Sequence, residues 1–314
     1  KGLRMMAVSM SVMKVVKPMP RNVRISWIFS WPILKKVLVP QPKSLVGVPL
    51  DMEKVWIPRD KPGFFPGPVG EAHHPEKWDW PGWLRGSDAA WLRTLERLYG
   101  LPAAFPAAMS PETGLLLFSL VRNIRPRTVI EVGSFIGVST IWMAAALEEI
   151  GDAYAQSGDE AERTGALVSI DTFDPLPETQ WRKASVGGDR RELVRSHVEE
   201  AGLTHRVHLE QGVSWEVLPR IRPQLRETGG VQLALLDGDH SAEGLRKDLI
   251  ALEPVLETGG YVIVHDTIPE RCGGHVGGRH LLEHINSFAA GLYESVEIYL
   301  SPMNYGIGLF RRMG

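Results

Sequence analysis

Thr128 to Ser139 reads TVIEVGSFIGVS, and the reading of this stretch decides the fold. Thr128–Val132 is short, apolar and rich in β-branched residues, the signature of a buried strand. Gly133 and Gly137 follow, and then a helical run, STIWMAAAL, over Ser139–Leu147. Strand, glycine turn and helix bring backbone N–H groups at a helix start to face a bound ligand. Glycines at the turn let that ligand come close to the main chain.

Downstream, the alternation continues. Strands are predicted at Thr128–Val132, Ala166–Ile170, Arg206–Glu210, Val231–Leu236, Gly260–Val264, Ser295–Leu300 and Tyr305–Arg311. Helices are predicted between most of them, at Ser139–Glu149, Arg190–Ala201, Glu216–Leu225 and Ala242–Leu256. Strands separated by helices imply parallel pairing with right-handed crossovers. The last two are joined by only SPMN, too short for a crossover, so they form an antiparallel hairpin. The expected fold is α/β: a Rossmann-like doubly wound sheet, mostly parallel, with a C-terminal hairpin. Gly151–Gly165 is polar and acidic and reads as an exposed insertion.

Upstream, the chain changes character. The first fifty residues hold nine Lys/Arg and no Asp/Glu. Seven of the ten tryptophans and fourteen of the twenty-three prolines precede residue 109, so regular structure is sparse there. The run MMAVSMSVMKVV has the look of a short signal segment, but no small-residue cleavage site follows; an extension or a subunit-swapped arm is the better reading. Pro40–Gly86 reads as a wrapping segment whose aromatics, Trp78, Trp80 and Trp83 among them, seek burial. His73-His74 lacks the spaced partners of a metal site and reads as surface. Ser87–Tyr99 is a helix. Another starts at Ser110-Pro111-Glu112, with Ser as N-cap and Pro in the first turn. The chain thus divides into an irregular extension, 1–108, and an α/β domain, 109–314.

Composition is that of an ordinary globular protein: 44% hydrophobic, 23% charged, net charge −2. That balance gives no reason to expect nucleic acid as a partner. No apolar run reaches the ~20 residues of a spanning helix. Cys272 is the lone cysteine, so no intrachain disulfide forms, in keeping with a cytoplasmic protein. The basic, apolar amino-terminal arm suggests a homo-oligomer.

Three strand ends carry chemistry. Asp171 closes LVSID, where an acid can take ribose hydroxyls in a doubly wound nucleotide site; a strand-end turn residue is the bland alternative. LLDGDH, Leu235–His240, puts Asp237 where it can hold a hard cation and His240 where it can move a proton, with Asp239 capping the next helix. GGYVIVHDT, Gly259–Thr267, puts Asp266 on an adjacent strand about 5 Å away, so the two aspartates can share an ion. RCGGHVGGRH, Arg271–His280, has a lone Cys and irregular spacing; a flexible lid is favoured over a zinc site.

Met109–Ser139, MSPETGLLLFSLVRNIRPRTVIEVGSFIGVS, resembles the signature of the metal-dependent O-methyltransferases of the catechol and caffeoyl-CoA type, among the class I S-adenosylmethionine-dependent methyltransferases. The resemblance covers roughly Met109 to the C-terminus. It implies that Glu131, Gly133 and Ser139 hold the methionine end of S-adenosylmethionine, that Asp171 takes the ribose, and that Ser214 and Trp215 meet the adenine. Trp215 as a core aromatic would look the same. It further implies Asp237 and Asp266 as ligands of Mg²⁺. Two positions depart from the family. Thr267 stands where an Asn ligand is usual, and His240 stands where the base is usually Lys. The Asp-x-x-His arrangement is similar to that of macrolide sugar O-methyltransferases and the cephalosporin-hydroxylase-like group. It implies His240 as base and a small-molecule acceptor hydroxyl, on a sugar or natural product. Alternatives within the fold are metal-independent or N-directed methyl transfer. Outside it stand an NAD-dependent dehydrogenase or a nucleotide-binding module, disfavoured by the absence of G-x-G-x-x-G and by the terminal hairpin.

Overall fold

A computed structural model describes residues 77–157, 165–179, 182, 184–300 and 305–314. The basic arm, His73-His74 and most of the Pro-rich stretch lie outside the described residues. The centre is a seven-stranded sheet of β1 (Thr128–Val132), β2 (Ala166–Asp171), β3 (Val207–Gln211), β4 (Val231–Leu236), β5 (Leu256–His265), β6 (Tyr293–Ile298) and β7 (Ile307–Arg312). Their order across the sheet is β3-β2-β1-β4-β5-β7-β6. β1 to β5 pair in parallel; β7 runs antiparallel between β5 and β6. The strand order therefore reverses between β1 and β4, and that reversal opens a crevice at the carboxyl ends of the strands.

β1 is buried at all five positions, as a central strand covered on both faces must be. The helices α1 (Ala90–Tyr99), α2 (Pro111–Ile124), α3 (Val138–Ser157), α4 (Arg190–Glu200), α5 (Ser214–Glu227), α6 (Ala242–Leu252) and α7 (Gly277–Phe288) supply that cover. Ser110 caps α2 as expected, its Oγ accepting from Thr113 N at 3.3 Å. α3 continues through the first half of the expected insertion, to Ser157. Trp78 is buried against Phe105, and Trp80 against Tyr99 and Trp142, the latter also meeting Trp91 and Phe118. Trp142 Nε1 donates to Tyr99 Oη at 3.0 Å, which satisfies the indole where water cannot reach. Trp83, expected to seek burial, is instead 73% exposed. Among the described residues no helix is long and apolar enough to cross a membrane.

Candidate functional site

The carboxyl ends of β1, β2, β4 and β5 meet at a cavity of about 580 Å³, walled on one side by Pro106–Met109. That volume suits a nucleotide-sized ligand. Gly133, Ser139, Asp171, Ser214, Trp215, Asp237, His240 and Asp266 all line it. Glu131 does not: it is fully buried beneath the cavity floor.

Glu131 accepts from Ser139 Oγ at 2.6 Å, Thr140 Oγ1 at 2.6 Å and Ser169 Oγ at 2.5 Å. One carboxyl thus joins β1, the start of α3 and β2. Burial pushes it up to about 7, against the pull of those three hydroxyls. Gly133 sits at φ +90, and a Cβ there would lie 2.4 Å from the Asp237 carbonyl oxygen. Glycine at that position lets the ends of β1 and β4 approach, and so brings Asp237 to the cavity.

Asp171 is engaged on both oxygens. Oδ2 accepts from Ser134 N at 2.9 Å, Ser134 Oγ at 3.0 Å and Phe135 N at 3.3 Å. Oδ1 accepts from Phe173 N at 2.8 Å. Arg190, buried to 3% exposure, spans both oxygens with its guanidinium and also donates to Phe135 O at 2.9 Å. A ribose at this acid has to displace one of these donors. Sequence reasoning missed Arg190, because nothing in the pattern of α4 marks an arginine that turns inward.

At the end lined by Ser214 and Trp215, Ser214 donates to Asp248 Oδ1, while Asp248 Oδ2 is buried with no hydrogen-bond partner. Burial pushes the Asp248 carboxyl up to about 6, although the Ser214 bond pulls the other way. Trp215 is half-buried, with Lys247 Nζ 5.2 Å from its ring centre. Asp239, expected as the helix cap, instead accepts from Ser241 N at 2.9 Å; Ser241 caps α6 through Gly244 N at 3.0 Å.

Asp237 and Asp266 end adjacent parallel strands, and two imidazoles face both. His265 Nδ1 is 3.4 Å from Asp237 Oδ1 and 3.2 Å from Asp266 Oδ1. His240 Nδ1 is 3.3 Å from Asp266 Oδ2 and 3.9 Å from Asp237 Oδ1. His275 Nδ1 is 2.8 Å from Asp266 Oδ2. Burial alone would raise the Asp266 carboxyl, but the imidazoles of His265, His240 and His275 outweigh it and hold it well below the usual carboxylate range. Asp266 also adopts φ +60, a left-handed conformation that is uncommon outside glycine and that Asp adopts more readily than most side chains. Thr267 is fully buried and donates to Glu297 Oε1 at 2.7 Å, so its hydroxyl serves the sheet rather than the cavity. The segment expected as a lid is half helix, since α7 begins at Gly277.

Residues 130–267 match the family model described as a methyltransferase domain. A catechol O-methyltransferase from Niastella koreensis is 26% identical over 140 residues, which is 45% of this chain and 48% of that protein. This chain therefore spans about half the length of that curated relative. A crystal structure of an O-methyltransferase from Bacillus cereus in complex with SAH aligns with TM-score 0.52 and 17% identity, covering 74% of this chain and 93% of the other. The O-methyltransferase TomG from Streptomyces achromogenes, involved in tomaymycin synthesis and solved in complex with SAM, aligns with TM-score 0.48 and 23% identity over 73% of this chain and 91% of its own.

Proposed function

We propose that this chain is a class I S-adenosylmethionine-dependent methyltransferase that methylates a hydroxyl of a small molecule, with residues 109–314 as the catalytic unit; the methyltransferase-domain match over residues 130–267 and the similarity to a catechol O-methyltransferase support that reading. The observation that carries the reading is the shared cavity at the strand tips. Gly133, Ser139, Asp171, Ser214 and Trp215 line it at one end, and Asp237, His240 and Asp266 at the other. The partnerless Asp248 Oδ2 supports the cofactor's fit, since the exocyclic amino group of adenine is a donor of the kind it lacks. S-adenosylmethionine supplies the electrophilic methyl group.

The chain's own residues do the rest. Ser139 and the start of α3 bound the methionine end, Asp171 and Arg190 the ribose end, and Ser214 with Trp215 the adenine end. His240 takes the acceptor proton. Its ring is 30% exposed at the cavity edge, and its Nδ1 lies 3.3 Å from Asp266 Oδ2, which orients the imidazole. A sugar or natural-product hydroxyl is weakly acidic, so a positioned base is worth about 10²–10⁴ in rate.

Divalent-ion assistance at Asp237 and Asp266 belongs to the same reading, but Mg²⁺ does not fit the donors present. Mg²⁺ asks for oxygen ligands in an octahedron, whereas three imidazoles crowd these two carboxylates and Thr267 is committed to Glu297. Assembly as a homo-oligomer through residues 1–108 is a further part of the proposal, resting on the basic, apolar composition of that arm; light scattering on the full chain measures it.

His240→Ala tests the function. Methyl transfer to a panel of sugar and polyketide hydroxyls should fall at least about 100-fold, with S-adenosylhomocysteine binding intact by calorimetry. Undiminished turnover in that variant removes His240 as the base; failure of the wild-type chain to bind S-adenosylhomocysteine removes the whole reading.

A further inference from the structure

We infer that His240, Asp266 and His275 form a two-histidine, one-carboxylate site for a borderline first-row transition cation of the Zn²⁺ class, in preference to Mg²⁺. One donor atom from each residue lies within 4.8 Å of the other two. The inference concerns the same site as the reading above and rests on it only for what the ion would do; with the ion bound, His240 is a ligand rather than the free base, so its role as base holds for the metal-free protein.

Three observations carry it. First, the donor chemistry is nitrogen-rich. Two imidazoles and a carboxylate are the ligand set of catalytic zinc sites and of non-haem iron sites, and Zn²⁺ outcompetes Mg²⁺ wherever imidazole replaces oxygen. Second, the site gathers buried carboxylate oxygens. Oδ1 of Asp237 and Oδ1 of Asp266 are buried and make no hydrogen bond, sharing only the His265 imidazole at 3.4 and 3.2 Å, and the Asp266 side chain is only 9% exposed. A cation suits such a pair, and Asp237 stands ready as a fourth oxygen. Third, the two histidine-bearing loops are fastened to each other. Gly277 N donates to His240 O at 2.9 Å, and the His240 and His275 rings stack at 4.4 Å with an interplanar angle of 1°. The buried Cys272 thiol faces the carbonyl oxygens of Asp266 and His275 at 3.7 and 3.6 Å, which ties the same loop to the end of β5.

His275 thus stands in for the oxygen ligand that Thr267 does not supply. It comes from outside the strand ends, from a glycine-rich segment with no recognisable ligand spacing. Catalytic sites of this kind keep positions open for substrate, and here the open side is the cavity.

The test is titration of the chelator-stripped full chain with Zn²⁺, Co²⁺ and Mg²⁺. Zn²⁺ should bind in one equivalent at least about 100-fold tighter than Mg²⁺, and Co²⁺ should give visible bands of a four- or five-coordinate site. His275→Ala should weaken Zn²⁺ binding by about 100-fold or more with unchanged far-ultraviolet circular dichroism. His275→Gln, which keeps much of the side-chain bulk, should weaken it similarly and covers the case in which the alanine variant fails to fold. Mg²⁺ binding as tightly as Zn²⁺, absence of stoichiometric metal, or wild-type Zn²⁺ affinity in the histidine variants overturns the inference. S-adenosylhomocysteine calorimetry on the same stripped protein separates the two ideas. Cofactor binding without metal binding sinks this site alone, and metal binding without cofactor binding sinks the methyltransferase reading.

Discussion

Two buried charges at the cavity floor have opposite logic. Glu131 is lifted to about 7 by burial, so the folded state prefers it protonated. Its unfolded carboxyl titrates near ~4.3. Between those values the unfolded chain has released a proton that the native one retains, so stability falls as pH rises through that window. Glu131→Gln should flatten that slope, which is worth on the order of 3 kcal/mol in total. Urea midpoints from pH 4.5 to 7.5 measure it; parallel curves for both proteins would refute the assignment. Arg190 is different, because its buried guanidinium completes the carboxylate of Asp171. Removing one member of a buried pair strands the other. Arg190→Ala should therefore cost about 3–5 kcal/mol by denaturant unfolding, and a loss below 1 kcal/mol would show the pair to be solvated.

At the scale of elements, the reach of the sequence is uneven for physical reasons. Thr128–Val132 and Val231–Leu236 were legible to the residue, since a strand covered on both faces is mostly apolar, with single polar residues such as Glu131 and Gln232 inside it. The antiparallel hairpin followed from loop length alone. The ends of the strands also gave away Asp171, Asp237, His240 and Asp266, because ligands gather there in any doubly wound sheet. α7 was hidden by its own start. In HVGGRH two glycines suggest a flexible loop, yet they are there for close packing. A Cβ on Gly277 would lie 2.7 Å from His240 O, and one on Gly278 would lie 2.7 Å from Asp266 O. With the helix went His275, whose place beside Asp266 is fixed by that packing rather than by spacing in the chain. Gly278→Ala should accordingly push α7 from the tip of β5. The expected result is a loss of about 2–3 kcal/mol in stability together with weaker metal binding; a variant with wild-type behaviour in both would show that α7 packs loosely.

For the molecule as a whole, the cavity draws its walls from the sheet, from the Pro106–Met109 segment and from the loop before α7. A ligand that fills it contacts parts of the chain more than a hundred residues apart, and it should stabilise them together. S-adenosylhomocysteine at a hundred times its dissociation constant should add about 2.7 kcal/mol to unfolding. Thermal unfolding with and without it checks this, and His240→Ala should show the same increment because its imidazole lies at the acceptor end. Absence of any ligand-dependent shift would place the cofactor elsewhere.

The position of β7 has its own consequence. It lies between β5 and β6 although it follows both in the chain. During synthesis the ribosome therefore delivers β6 before the strand that will join it to the rest, and the open flank of β5 stays uncovered in the interval. That nascent flank is where a chaperone, or a second unfinished copy, would find purchase.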